Sequence, residues 1–170
     1  MNIVLCGMMG AGKTTIGIKI AELTGRRWYD TDGVIVDRYG KISDIFEFYG
    51  EAHFRKLETE IVKELAPQDN LVISTGGGLV LKKENNEVLQ QKGKIVFLRA
   101  GFETLAHRLK VDGTRPLLQT STESIRDRLQ RLLTERTPVY EHVADYIVDV
   151  DGKTPDALAT EIVALVDGNE

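Results

Sequence analysis

Short runs of β-type residues recur along the chain, at Ile3 to Cys6, Arg27 to Asp30, Leu71 to Ser74, Lys94 to Leu98 and Tyr146 to Val150. Runs of this length, mostly apolar and separated by helical stretches, are read as parallel strands. Between them the apolar residues return at helical spacing. Ile16, Ile20 and Leu23 share one face of Lys13 to Leu23, and Phe54, Leu57, Ile61 and Leu65 share one face of Glu51 to Leu65. Strand and helix in alternation predict an α/β fold built as a layered sandwich. The last helix has a start signal in Thr154 as N-cap with Pro155 and Asp156 in the first turn, and Gly168 lies just past its end. No linker, repeat or low-complexity tract interrupts the pattern, so residues 1–170 are expected to form one domain. The most irregular stretch, Lys110 to Thr122, carries Gly113 and Pro116 between two helices and reads as a lid.

Composition narrows the class of partner. The 22 Lys and Arg against 26 Asp and Glu leave a formal charge of -4, so no global basic field attracts a polyanion, and nucleic acid is excluded as the main partner. Hydrophobic residues at 42% and charged residues at 28% are ordinary globular usage, which argues against disorder. Cys6 stands alone and has no internal disulfide partner. The apolar runs fall well short of the ~20 residues that span a bilayer. Because Asn2 to Cys6 already reads as a buried strand, no targeting peptide is expected, and a cytoplasmic enzyme or switch fits.

The chemistry begins at Gly7-Met8-Met9-Gly10-Ala11-Gly12-Lys13-Thr14, which matches G-x-x-x-x-G-K-S/T directly after the first strand and at the start of the first helix. Its glycines let backbone N–H groups converge on phosphate oxygens, and the positive end of the helix adds to the field. Lys13 is placed to reach the β- and γ-phosphates, and the Thr14 hydroxyl suits Mg²⁺, a hard cation that prefers oxygen. Asp30-Thr31-Asp32 follows the second strand and should stand beside this loop at the carboxyl edge of the sheet. One acid there can hold Mg²⁺ through water while the other accepts a hydrogen bond from a substrate hydroxyl. A plainer alternative makes Asp32 the cap of a helix beginning near Val34. Asp30 to Gly33 also spells D-x-x-G, a GTPase-switch pattern, but no Asn-Lys-x-Asp follows to read guanine.

Further along, Gly76-Gly77-Gly78 directly follows a strand, which allows either a ligand against the backbone or close packing of a neighbour. Arg55 and Glu58 lie three apart on one helical face, either as a carboxylate-binding guanidinium fixed by its own helix or as an exposed ion pair. Arg115, within Thr114-Arg115-Pro116-Leu117-Leu118, would ride on the lid toward the γ-phosphate. Arg136, followed by Pro138 and Tyr140, is placed past the next helix as a second cation for an anionic substrate. His53, His107 and His142 share no metal-ligand spacing and are read as surface or helix-packing residues.

Taken in order and spacing, these segments resemble the shikimate kinase family almost end to end. The resemblance implies a nucleoside monophosphate kinase-like P-loop fold, a three-layer α/β/α sandwich on a five-stranded parallel sheet of order 2-3-1-4-5. It implies ATP-dependent phosphorylation of the 3-hydroxyl of shikimate, with Mg²⁺ as cofactor, on the way to chorismate and the aromatic amino acids, by a monomer. By the same resemblance Gly10, Ala11, Gly12, Lys13, Thr14 and Thr15 would hold the nucleotide phosphates. Lys13 and Arg115 would stabilise the transferring phosphoryl group, and Thr14 and Asp30 would hold Mg²⁺. Asp32 would bind the acceptor hydroxyl and take its proton. Arg55 and Arg136 would pair with the substrate carboxylate, with Glu58 orienting Arg55, and Gly76, Gly77 and Gly78 would lie along the ring hydroxyls. Phe46 and Phe54 would wall the pocket on helices around residues 32–62, and Arg108 and Pro155 would flank adenine. A gluconate kinase and a nucleotide-gated switch are the competing readings.

Overall fold

The computed structural model describes residues 1–111 and 124–168. Five strands form one parallel sheet: β1 Asn2–Cys6, β2 Arg27–Asp30, β3 Leu71–Ser74, β4 Gly93–Arg99 and β5 Tyr146–Asp149, in the order β2-β3-β1-β4-β5. This is the expected order. β1 lies between β3 and β4, with Val4 opposite Ile73 on one side and Ile95 on the other. Ile3, Val4, Leu5, Val72, Val96 and Leu98 are all fully buried, as strands covered on both faces must be. β4 extends one residue beyond its expected span at each end, and β5 stops at Asp149, because register pairs Arg99 with Asp149 and leaves Val150 beyond the ladder.

The described helices are α1 Lys13–Thr24, α2 Thr31–Tyr39, α3 Ile42–Tyr49, α4 Glu51–Leu65, α5 Lys83–Gln90, α6 Phe102–Val111, α7 Ile125–Val143 and α8 Pro155–Asp167. A single 3-10 turn, Leu79–Leu81, follows the glycine run. α1 packs against α8, and α5 and α7 lie against β4. Phe54, Leu57, Ile61 and Leu65 of α4 are all buried as their spacing requires. The Thr154 side chain caps α8 by accepting from the Ala157 N–H, 3.1 Å. Among the described residues no helix is long and apolar enough to cross a membrane.

Three expectations change in the folded chain. Leu23 is 57% exposed, because the buried stripe of α1 runs through Gly17, Ile20 and the half-buried Ala21 and turns Leu23 outward. α2 begins at Thr31 rather than near Val34, and its cap is Asp30, whose carboxylate accepts from the Asp32 N–H at 3.0 Å. Arg136 lies inside α7, which continues through Pro138. A proline inside a helix removes one hydrogen bond. Burial of Tyr140 against Phe97, with ring centroids 5.0 Å apart, carries the helix past it. The expected lid and its Arg115 lie almost wholly outside the described residues.

Gly17 is where α1 meets the sheet. A Cβ there would fall on Ser74 Oγ and within 2.7 Å of Trp28 Nε1, two atoms already bonded to each other at 3.0 Å. Alanine is intrinsically favoured in a helix by about 1 kcal/mol. Overpacking typically costs about 1–3 kcal/mol, so Gly17→Ala is expected to destabilise the protein in urea denaturation, and a more stable variant would overturn this docking.

Candidate active site

The loop after β1 owes its shape to its glycines. Gly10 and Gly12 sit at φ 87 and φ 100, left-handed conformations that a side chain would strain. Gly12 is also the N-cap of α1 and supplies no side-chain acceptor, so the start of the helix faces the cleft without a side-chain cap. The Lys13 ammonium lies among loop carbonyls, donating to Gly7 at 2.5 Å and Met8 at 3.4 Å. Ser74 Oγ donates to the Lys13 carbonyl at 2.7 Å and ties the loop to the end of β3. Arg108 donates to the Gly10 carbonyl at 2.8 Å.

A cleft of about 1040 Å³ opens from this loop between α1, α2, α3 and α4. Its walls include Gly10, Gly12, Lys13, Thr14, Thr15, Asp30, Asp32, Phe46, Phe54, Arg55, Glu58, Gly76, Gly77, Gly78, Arg108, Arg136 and Pro155. Ala11 departs from expectation: it is fully buried, does not line the cleft, and its N–H donates to the Met8 carbonyl at 3.1 Å. Arg115 lies outside the described residues. The walls also include residues that motif reading missed, among them Lys41, Ile42, Ser43, Ser74, Thr75 and Lys153. Ser74 and Thr75 had a usable signal, since two hydroxyls sit at a strand end just before the glycine run. Lys41 to Ser43 had none, because their place depends on how α2 turns into α3.

The three glycines each accommodate one charged side chain. A Cβ on Gly76 would lie 2.6 Å from Asp32 Oδ1, one on Gly77 would lie 3.1 Å from Arg136 Nη1, and one on Gly78 would lie 2.5 Å from the Arg55 guanidinium. Close packing and an open ligand face are therefore not alternatives here, since the side chains packed on the run themselves line the cleft. The Gly76 N–H donates to Thr31 Oγ1 at 3.0 Å, and Tyr140 donates to the Gly77 carbonyl at 2.5 Å, so the run is held from α2 and α7.

Arg55 and Glu58 are not an exposed pair. Glu58 is 1% exposed and accepts from Arg55 at 2.7 Å, while its other oxygen is buried with no hydrogen-bond partner among the described residues. Burial pushes its carboxyl up to about 7, against the pull of Arg55. Arg136 is likewise buried, and its Nη1 has no hydrogen-bond partner among the described residues. A buried guanidinium nitrogen left in this state favours an incoming anion. Thr14 Oγ1 and Asp30 Oδ2 stand 3.4 Å apart below the loop. Phe46 and Phe54 face each other with centroids 5.0 Å apart, forming an apolar wall.

A phosphate loop at one end of a cleft, and carboxylate and guanidinium groups at the other, define a P-loop kinase acting on a small anionic acceptor. The family model for shikimate kinase matches residues 9–167. A shikimate kinase from Actinobacillus pleuropneumoniae serotype 5b is 42% identical over 167 residues, 98% of this chain and 95% of that protein. The solved structure of a shikimate kinase from Acinetobacter baumannii in complex with shikimate is similar with a TM-score of 0.92 and 40% identity, covering 99% of this chain and 94% of that one. A gluconokinase from Sinorhizobium meliloti, 21% identical with a TM-score of 0.67 over 99% of this chain and 94% of its own, shares the fold alone. The chain belongs to the shikimate kinase family, and it is an ATP-dependent kinase.

Glu58 makes stability depend on pH. Its folded value lies above the ordinary 4.5, so between about 4.5 and 7 the folded state keeps a proton that the unfolded chain has lost. Stability from this group is therefore present at low pH and declines as pH rises to about 7, by up to about 3 kcal/mol. Urea denaturation of wild type and Glu58→Gln at pH 5 and pH 8 should show wild type losing stability relative to the variant. Parallel profiles would contradict it.

Proposed function

We propose that this cleft transfers the γ-phosphoryl group of ATP to the 3-hydroxyl of shikimate, with the acceptor's carboxylate held by Arg55 and Arg136 and its hydroxyl by Asp32. The observation that carries the reading is the convergence of these three side chains on consecutive glycines in the cleft that the phosphate loop opens into. A ring bearing one carboxylate and several hydroxyls matches two guanidinium groups, one carboxylate and a bare backbone. The A. baumannii structure holds shikimate, which supports the same acceptor here.

In the reaction the acceptor oxygen forms a bond to the γ-phosphorus as the bond to the ADP oxygen breaks. Asp32 orients the hydroxyl and takes its proton, and the Lys13 ammonium moves from the loop carbonyls to the charge developing on the phosphoryl oxygens. The backbone of Gly10 and of Gly12 to Thr15 cradles the phosphates. Arg108 and Pro155, which both line the cleft, flank the adenine, while Phe46 and Phe54 exclude water from the acceptor side. Thr14 and Asp30 present two hard oxygen donors 3.4 Å apart, which suits Mg²⁺ with phosphate and water completing its shell. When bound, that ion offsets phosphate charge.

Steady-state kinetics test the assignment. Lys13→Met is expected to lower kcat by about 10²–10³ while the protein stays folded, the effect of losing a donor to transition-state charge. Near wild-type turnover would remove Lys13 from the reaction. Arg55→Lys and Arg136→Lys should raise KM for shikimate and leave KM for ATP nearly unchanged, because an ammonium cannot make two parallel bonds to a carboxylate. A rise confined to the ATP KM would move both arginines to the nucleotide side.

A further inference from the structure

Behind the acceptor wall, outside the cleft, a buried polar cluster joins α4 to the turn that follows the glycine run. Thr59, one residue beyond Glu58, is 7% exposed, and Asn85 at the start of α5 is 1% exposed. Thr59 Oγ1 lies 2.9 Å from Asn85 Oδ1 and 3.2 Å from the Arg55 carbonyl. Asn85 Nδ2 donates to the Leu79 carbonyl at 2.9 Å. A carbonyl can only accept, so the Asn85 amide has one orientation and its oxygen must face the Thr59 hydroxyl. Lys82 Nζ donates to the same hydroxyl at 3.0 Å, and Asn86 Nδ2 donates to the Val80 carbonyl at 2.7 Å.

These bonds tie α4 to the turn after the glycine run. Arg55 approaches Gly78 with its guanidinium, and Thr59, one turn further along the same helix, donates its hydroxyl proton to Asn85, which in turn donates to the carbonyl of Leu79, the residue after Gly78. The separation between the Arg55 guanidinium and the glycine run is therefore set by two buried side chains that do not line the cleft. Buried polar groups with a single satisfied arrangement resist sliding, because a shift leaves donors and acceptors unpaired in a low dielectric.

We infer that Thr59 and Asn85 are positioning residues that hold Arg55 in register with Gly78 and so determine how tightly the acceptor's carboxylate is bound. This rests on Arg55 as the carboxylate ligand. Thr59→Val keeps the shape and deletes the hydroxyl, Thr59→Ser keeps the hydroxyl, and Asn85→Asp keeps the shape while turning an oxygen toward the Leu79 carbonyl.

The experiment varies shikimate and ATP in turn for these variants, with Arg55→Lys as comparator, below the melting temperature of each. Thr59→Val and Asn85→Asp are expected to raise KM for shikimate about tenfold with KM for ATP within about twofold of wild type, since small misplacements of a binding group carry costs of this order. Thr59→Ser should restore the wild-type value. Asn85→Asp carries the test if Thr59→Val fails to fold. Equal rises in both KM values, or no rise in variants that are folded, would overturn the inference. If Arg55→Lys itself leaves the shikimate KM unchanged, the carboxylate assignment fails instead, and the two failures are distinguished.

Discussion

The acceptor half of the cleft depends on three consecutive residues that have no side chain. Asp32, Arg136 and Arg55 come from α2, α7 and α4, and each approaches the backbone of Gly76 to Gly78 so closely that a Cβ would press on it, most tightly at Gly76 and Gly78. The run is pinned in turn by Thr31 and Tyr140. An alanine at Gly78 would meet the Arg55 guanidinium, and the carboxylate and guanidinium groups could no longer share one small volume. Bare backbone is thus the constraint that allows charge to be concentrated there.

Concentrating charge has an electrostatic consequence. The whole chain carries a formal charge of -4, yet the described cleft walls hold Lys13, Lys41, Arg55, Arg108, Arg136 and Lys153 against Asp30, Asp32 and Glu58. A cationic cleft in an acidic protein favours two anionic substrates without attracting polyanions over the rest of the surface. Glu58 moderates this excess. It is buried, pushed up to about 7 by desolvation, and bonded to Arg55, so it restrains the guanidinium while its second oxygen faces no donor among the described residues.

The nucleotide half works by a different economy of parts. Ser74 links the end of β3 to the Lys13 carbonyl, Trp28 donates to Ser74, and Gly17 leaves room for both. The start of α1 is thereby fixed to the sheet from behind, and the loop in front keeps its left-handed glycines for phosphate. Rigid support beneath a polar loop is what lets such a loop bind without first paying to be ordered.

Much of this was legible in the chain itself. Short apolar runs located the strands and the helical period located α4, because strands covered on both faces are apolar throughout while a helix buries one face at the period of its backbone, and the phosphate loop announced itself because its chemistry depends on local spacing. Asp30, Asp32, Arg55, Glu58 and the glycine run were identifiable for the same reason, together with their order along the chain. The tertiary structure alone decided that α7 continues through Pro138 to bury Arg136, that Leu23 faces outward, and that Ala11 stays out of the cleft. It alone paired each glycine with its own charged partner, raised the Glu58 carboxyl, brought Lys41 to Ser43 to the wall, and joined Thr59 to Asn85. Each of these depends on which surfaces meet across the fold, and neighbours distant in sequence leave no periodic mark in either segment.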